Sequence, residues 1–398
     1  MRGYSILLVL IPFVGSVIWI AMSDHLIDLK GKPLGTDFSN VYAAGVLALN
    51  GKAPDAYDPP HQHAAEKAVF DGRDVPFFGW HYPPFFFAVA ALVATLPYVW
   101  GLVLWLVSSG MAFLITMRAI LPRFATQHET QAMWLAVVAF PAVFINIGHG
   151  QNGFMTAALL GAGLQLLDRR PIVAGILIGL LAYKPQFGVL VPLALMVSGR
   201  WTTIAAAGAT VITLVAATFA IFGKIIWQAF AASTSFTQHV VLEQGGTGWE
   251  KIQSIFSAAR MWGANVPTAY AVQFFVAVML AASLTWLWRS HAAYELKASA
   301  LATACLLATP YVLDYDLVVL AVSIAFFVRH GLKHHFHDFE MSLLAAAWTV
   351  PLITRSIAGV TGIPLGLLVT MTLYIFTLRR AVSDLGGVRI FNRTLVRQ

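Results

Sequence analysis

The sequence predicts an all-α polytopic membrane protein. Two numbers and one pattern carry that prediction. Hydrophobic residues make up 59% of the 398 and charged residues only 11%, mean hydropathy is +0.74, and apolar runs of helical length recur along the whole chain. A globular core of this composition would lack the polar residues needed to cover it. The formal charge of +7 would suggest nucleic acid in a soluble protein. Here it is read loop by loop and points to no nucleic-acid partner, because Lys and Arg gather on the cytoplasmic side of a membrane protein. Cys305 is the single cysteine, so no intramolecular disulfide holds the outer loops.

In chain order, Met1-Arg2-Gly3 precedes an apolar run over 4–22 that is long enough to span. No small-x-small cleavage site comes before Ser23-Asp24, so the run reads as a retained helix with a cytoplasmic amino end. Residues 24–84 form a first outer loop, rich in acids: Asp24, Asp28, Asp37, Asp55, Asp58, Glu66, Asp71 and Asp74. Phe38, Val41, Tyr42, Gly45 and Leu49 share one helical face after Thr36-Asp37, and Asn50-Gly51 stops the run. After Asp58-Pro59-Pro60 a second helix is predicted over 61–70, stopped by Asp71-Gly72. Both read as amphipathic pieces lying along the membrane surface. Trp80-His81-Tyr82-Pro83-Pro84 then leads into 85–96, which covers about 18 Å as a helix and is too short for an ordinary span.

The remaining apolar segments are 98–117, 132–147, 153–167, 172–183, 187–197, 202–222, 267–288, 298–309, 313–328, 341–353 and 363–378. With 4–22 they make about twelve crossings of a single integral-membrane domain over 1–398. If 85–96 also spans, Arg118, Arg123, Arg169, Arg170 and Arg200 fall outside, against the positive-inside bias. If it is re-entrant or interfacial, the cytoplasmic segments hold 15 Lys and Arg against 6 acids and the outer segments 10 against 12. That second arrangement obeys the bias, and it puts the 379–398 tail inside. It also brings the polar motifs to one side: Gly148-His149-Gly150-Gln151-Asn152, Tyr183-Lys184-Pro185-Gln186, the second long loop 223–266, and Thr309-Pro310-Tyr311-Val312-Leu313-Asp314-Tyr315-Asp316 all reach the outer face with Asp37 and His81.

Each motif has a plain and a chemical reading. Asp37 either caps the helix after it or acts as a base, and the roles are compatible. The turn at 148–152 is either an ordinary tight turn or a binding loop. Lys184 is the only charge between Arg170 and Arg200; at depth it costs roughly 2.5–3.5 kcal/mol unless it snorkels or meets an anion such as phosphate. Asp314 and Asp316 either cap a helix or bind a ligand. Arg329-His330, Lys333-His334-His335 and His337-Asp338 lack regular metal-ligand spacing and read as a basic stretch facing anionic membrane lipids. No phosphate-binding glycine loop, nucleophile elbow or helical zinc motif is present, so a nucleotide-sugar site is not in view.

Gly35-Thr36-Asp37-Phe38 with Tyr42-Ala43-Ala44-Gly45, then Tyr57-Asp58-Pro59, Tyr82-Pro83-Pro84-Phe85, Gly148, Gln151-Asn152-Gly153, Lys184-Pro185-Gln186 and Tyr315-Asp316-Leu317 resemble, in this order, glycosyltransferase family 87. The resemblance implies a GT-C-like bundle. It also implies a polyprenyl-phosphate sugar (hexose, mannose-like, or pentose) as donor and a lipid or glycan acceptor on the outer face of a bacterial inner membrane, with inverting transfer for cell-envelope glycan synthesis. It makes Asp37 the general base. It makes Lys184, His149, Gln151, Asn152, Gln186, His81, Tyr82, Tyr311, Asp314 and Asp316 the donor phosphate and sugar contacts, with no metal ligand among them. Tyr311 stands where some relatives carry His. A secondary transporter or lipid-carrier flippase with Lys184, Asp314 and Asp316 as a buried site is the rival class. The absence of an internal repeat and the two long loops on one side weigh toward an enzyme.

Overall fold

The computed structural model describes residues 21–122 and 126–395, together with 10, 14, 15 and 18. The expected first span over 4–22 therefore lies largely outside the described residues, as do Arg123 and 396–398. Helix accounts for 77% of the structure and no strand occurs among the described residues, so the all-α expectation holds.

In chain order the helices are α1 (Thr36–Leu49), α2 (Pro59–Val69), α3 (Phe87–Ala94), α4 (Tyr98–Ile120), α5 (Gln127–Val138), α6 (Pro141–His149), α7 (Gly153–Leu166) and α8 (Pro171–Leu180). They continue with α9 (Val191–Val197), α10 (Trp201–Phe236), α11 (Ile255–Met261), α12 (Val266–Arg289), α13 (Tyr294–Leu307), α14 (Leu320–His334), α15 (Glu340–Thr361) and α16 (Leu365–Leu395). The chain forms two compact units. Unit 1 is Met1–Leu114, Phe124–Met155 and Ala209–Gln244; unit 2 is Ile115–Arg123, Thr156–Gly208 and Gly245–Gln398.

Among the described residues, six helices are long and apolar enough to cross a membrane, or seven if the bent pair α5–α6 is one span. The protein is thus a multi-pass membrane protein. The other apolar segments form shorter helices, and local chemistry explains why. The 132–147 run bends by 42° where Phe140 takes an extended ψ of 121° ahead of Pro141 at the first position of α6. The 172–197 stretch breaks at Lys184, with 3₁₀ turns over Leu181–Tyr183 and Pro185–Gly188 on either side. Segment 84–94 is a 3₁₀ turn followed by the eight residues of α3, short of the roughly 30 Å apolar core. Two elements run longer than the hydropathy suggests. α15 carries Pro351 inside it and continues to Thr361, which places Arg355 on a helix instead of in a loop. The segment expected as a long loop over 223–266 is helical at first: α10 passes through a non-helical Gly223 (φ 72°) and ends in a π-helical turn over Thr237–Glu243.

Unit 1 is built on α1. Gly35 in the left-handed region (φ 66°) precedes the helix, and Asn50 with Gly51 closes it, as the sequence predicts. α1 packs on α3, and Gly45 is where they touch: a Cβ there would lie 2.1 Å from the Ala90 carbonyl oxygen. It is a buried helix, with Thr36 to Val41 and Ala43 to Gly45 all inside, not a surface-lying amphipathic one. α2 starts at Asp58, whose carboxylate accepts from the His61 N–H, with Pro59 and Pro60 in the first turn.

Unit 2 is built on α13 and α14, which pack together. The hydroxyls of Ser299, Thr303 and Ser323 bond across that contact at 2.6–2.9 Å. Its basic stretch over 329–338 is largely paired internally. Lys333 and Arg329 pair with Glu295, His330 with Asp384, and the fully buried Arg380 joins Glu340 and Asp384.

Candidate functional site

In unit 1 the turn after α6 is pressed against the start of α1. Gly150 has φ 59°, and a Cβ on it would meet the Phe38 Cβ at 2.7 Å and the Gly35 Cα at 3.1 Å. Only glycine fits there. The Trp105 indole N–H donates to the Gly150 carbonyl, and Thr36 Oγ1 shares a 2.8 Å hydrogen bond with His149 Nδ1. The segment 148–152 is a tight turn, and it delivers Gln151 to Asp37.

Asp37 is 8% exposed and lies in the first turn of α1, where the helix dipole favours a carboxylate. Gly35 occupies the N-cap position, so Asp37 is not the cap. The Gln151 amide N–H donates to Asp37 Oδ2 at 3.1 Å. Gln151 is oriented by its other end, since its Oε1 accepts from the Tyr82 hydroxyl (3.2 Å) and the Asn152 N–H (2.7 Å). With two donors at the oxygen, the NH₂ must face Asp37. The Asn152 side-chain amide in turn donates to the Tyr82 oxygen at 2.7 Å. Asp37, Gln151, Asn152 and Tyr82 therefore form one buried relay of uncharged groups ending on a carboxylate.

His81 is half-buried, with Nδ1 2.8 Å from the Thr237 hydroxyl. Burial pushes its pKa down to about 4, against the opposing pull of the Phe78 backbone and the Asp37 charge. At neutral pH it is an uncharged hydrogen-bonding group. The segment before it is held by Glu66, a residue the sequence reading missed. Glu66 has no exposed surface and accepts from the Phe78 and Gly79 N–H groups at 3.0 Å each and from Gln62 at 3.3 Å. Gln62 also donates to the Asn40 carbonyl, tying α2 to α1. Burial raises the Glu66 carboxyl to about 7 in spite of these bonds. Its signal was present: Gln62 and Glu66, four apart, form a polar pair on one face of α2. Trp80 stacks on Phe87 at 4.9 Å and Tyr82 lies 4.6 Å from Phe86, which fixes the segment against α3.

Unit 2 gathers the charged candidates. Lys184, 5% exposed, donates from Nζ to Asp316 Oδ1 at 2.6 Å, and Asp316 Oδ2 accepts the Leu313 N–H. The anion that Lys184 meets is thus a carboxylate 132 residues away, where the sequence suggested a phosphate. Asp314 accepts from the Tyr315 N–H and pairs with Arg355 at 3.4 Å. Residues 251–253 bridge to 312–314: Gln253 N–H donates to the Val312 carbonyl (2.7 Å) and Asp314 N–H to the Lys251 carbonyl (3.0 Å). Lys251 and Arg355 join the cluster without any motif to announce them. Tyr311 and Gln186 are half-buried; the Tyr311 N–H donates to Thr309 Oγ1. The ammonium groups of Lys184 and Lys251 each lie 5.3 Å from the centroid of the Tyr315 ring.

The two units thus present different chemistry. One offers a buried carboxylate that accepts from an amide; the other offers buried cations paired with carboxylates. The family model of glycosyltransferase family 87 matches residues 80–310, more than half of the chain. The match takes in His81, Tyr82, the 149–152 turn, Lys184 and Lys251, while Asp37 precedes it and Asp314 and Asp316 follow it. No curated protein and no solved structure matches the chain.

Proposed function

The chain belongs to glycosyltransferase family 87 and is a membrane glycosyltransferase; from that premise we propose that it moves a hexose or pentose from a polyprenyl-phosphate donor to a lipid or glycan hydroxyl on the outer face of a bacterial inner membrane. About twelve crossings with both ends cytoplasmic accompany this reading. The observation that carries it is the Asp37 relay. A carboxylate can take a proton from a hydroxyl when its direction is fixed, and the Gln151 amide fixes that of Asp37.

In the reaction, the acceptor oxygen attacks the anomeric carbon from the face opposite the phosphate, and its proton passes to the Asp37 carboxylate. The new glycosidic C–O bond forms as the anomeric C–O bond to phosphate breaks. The bond's electron pair leaves with polyprenyl phosphate, and the anomeric configuration inverts. Gln151, fixed by Tyr82 and Asn152, sets the rotation of the carboxylate. Neutral His81, together with His149, supplies hydrogen bonds to sugar hydroxyls. No general acid is required, because phosphate is a good leaving group once its charge is met.

Transfer from a panel of labelled polyprenyl-phosphate sugars, with purified wild type beside Asp37→Asn, tests this. We expect turnover of one donor class and a kcat lower by about 10²–10⁴ in the variant, with donor binding kept. A fully active Asp37→Asn removes the base assignment. Donor left unconsumed while vesicles show lipid flipping or uptake would transfer the protein to the transport class.

A further inference from the structure

Lys251 has no place in the relay or in the ion pairs of unit 2. It is only 9% exposed, and among the described residues no carboxylate lies within ion-pair reach of its ammonium. What the ammonium does meet is the Tyr315 ring, 5.3 Å from its centroid. Burying an ammonium without an anion is costly, and the backbone around it is firmly tied: Lys251 N–H donates to the Gly248 carbonyl, Lys251 O accepts from Asp314, and Gln253 bonds to Val312. The Gln253 Oε1 accepts from Thr354, which fixes the same segment to α15. The backbone that carries the side chain is therefore fixed by structure.

The charge balance of the cluster gives it a use. Asp316 takes Lys184 and Asp314 takes Arg355, so both carboxylates are matched and Lys251 is positive charge in excess. A lipid-linked donor is a phosphodiester with one negative charge. When its sugar departs, the phosphate becomes a monoester and gains a second. The Lys184–Asp316 pair is neutral and cannot take up that increment; a further cation must.

We propose that Lys251 receives the phosphate of the lipid-linked donor and takes up the charge that develops on it during transfer, with Lys184 serving mainly to hold Asp316. This rests on the lipid-phosphate donor of the proposed function. It assigns the anion contact to a residue other than the Lys184 that the sequence points to. The Tyr315 ring, shared by both ammonium groups, would keep Lys251 in place before the anion arrives.

The test uses the full chain in lipid nanodiscs, as wild type, Lys251→Gln and Lys251→Arg. Binding of polyprenyl phosphate, polyprenol and inorganic phosphate is measured alongside turnover of the productive donor. We expect Lys251→Gln to weaken polyprenyl phosphate binding by about tenfold to a hundredfold, the size of one charge-assisted contact. Polyprenol binding should stay unchanged, which also reports an intact fold, kcat should fall, and Lys251→Arg should recover most of both losses. If Lys251→Gln binds polyprenyl phosphate and turns over as wild type does while Asp37→Asn is inactive, the Lys251 assignment is wrong and the transferase reading stands. If wild type consumes no donor yet binds polyprenyl phosphate through Lys251, the transferase reading fails and the phosphate site survives. Lys251-dependent binding of inorganic phosphate as tight as that of polyprenyl phosphate would overturn the lipid as its source.

Discussion

Asp37 in unit 1 and Asp316 in unit 2 are both buried carboxylates near helix starts, 8% and 1% exposed, yet they are held by opposite means. Asp37 is met by the uncharged amide of Gln151, itself locked by Tyr82 and Asn152. Asp316 is met by the ammonium of Lys184 at 2.6 Å. An amide donor fixes a carboxylate's direction, whereas an ammonium also pairs with its charge. The difference lies in the partner each acid is given, although both are buried acids in polar motifs.

The same substitution at both sites should therefore give opposite phenotypes. Asp316→Asn leaves Lys184 buried without its anion and is expected to destabilise the detergent-solubilised protein by about 3–5 kcal/mol. Asp37→Asn should change stability little and act on kcat. Denaturant unfolding of both variants reads this out, and equal losses of stability would erase the contrast. Replacing both partners, Lys184→Met with Asp316→Leu, should recover much of the loss, since removing a buried pair together leaves no orphaned charge.

A second test uses pH. The Glu66 carboxyl, raised to about 7 from its ordinary 4.5, binds a proton more tightly in the folded chain. Its contribution is full below pH 4.5 and is lost as pH rises toward 7, by about 3 kcal/mol. His81, lowered to about 4 from 6.5, does the reverse: the folded chain resists its protonation, so stability falls as pH drops from 6.5 toward 4, by about 2–3 kcal/mol. The two slopes oppose each other over nearly the same window. Relative to wild type, Glu66→Gln should grow more stable as pH rises between 4.5 and 6.5, and His81→Asn less stable. Melting temperatures across that range decide it; parallel curves for all three proteins would refute both shifts.

The smallest effect is expected from Tyr82→Phe. It removes the hydroxyl that donates to Gln151 and accepts from Asn152, costing about 1 kcal/mol of stability. Because Gln151 then loses one of the two donors that orient it, kcat should drop by about tenfold or less, with KM for the donor nearly unchanged. A larger change in KM than in kcat would make Tyr82 a substrate contact in place of an orienting group.

Much of this could be read from the chain alone. The all-α membrane class follows from composition, and the ends of α1 and α2 follow from Gly35, Asn50-Gly51, Asp58-Pro59-Pro60 and Asp71-Gly72, because caps and breakers act on their own few residues. Lys184 stands out as the only charge in an apolar stretch, whereas Asp37, one of eight acids in its loop, stands out only through the family resemblance. Span lengths were less legible: hydropathy ends the 341–353 segment early, but a membrane helix tolerates Pro351 and continues to carry Arg355.

What only the tertiary structure decided is which polar group meets which. Gln151 reaches Asp37 across 114 positions, Lys184 reaches Asp316 across 132, and Glu66 reaches back to the N–H groups of Phe78 and Gly79. Helix formation depends on neighbours three or four residues apart, so the sequence carries it locally. The partner of a buried charge is set by how helices pack, and that is what gives Asp37 an amide and Asp316 an ammonium.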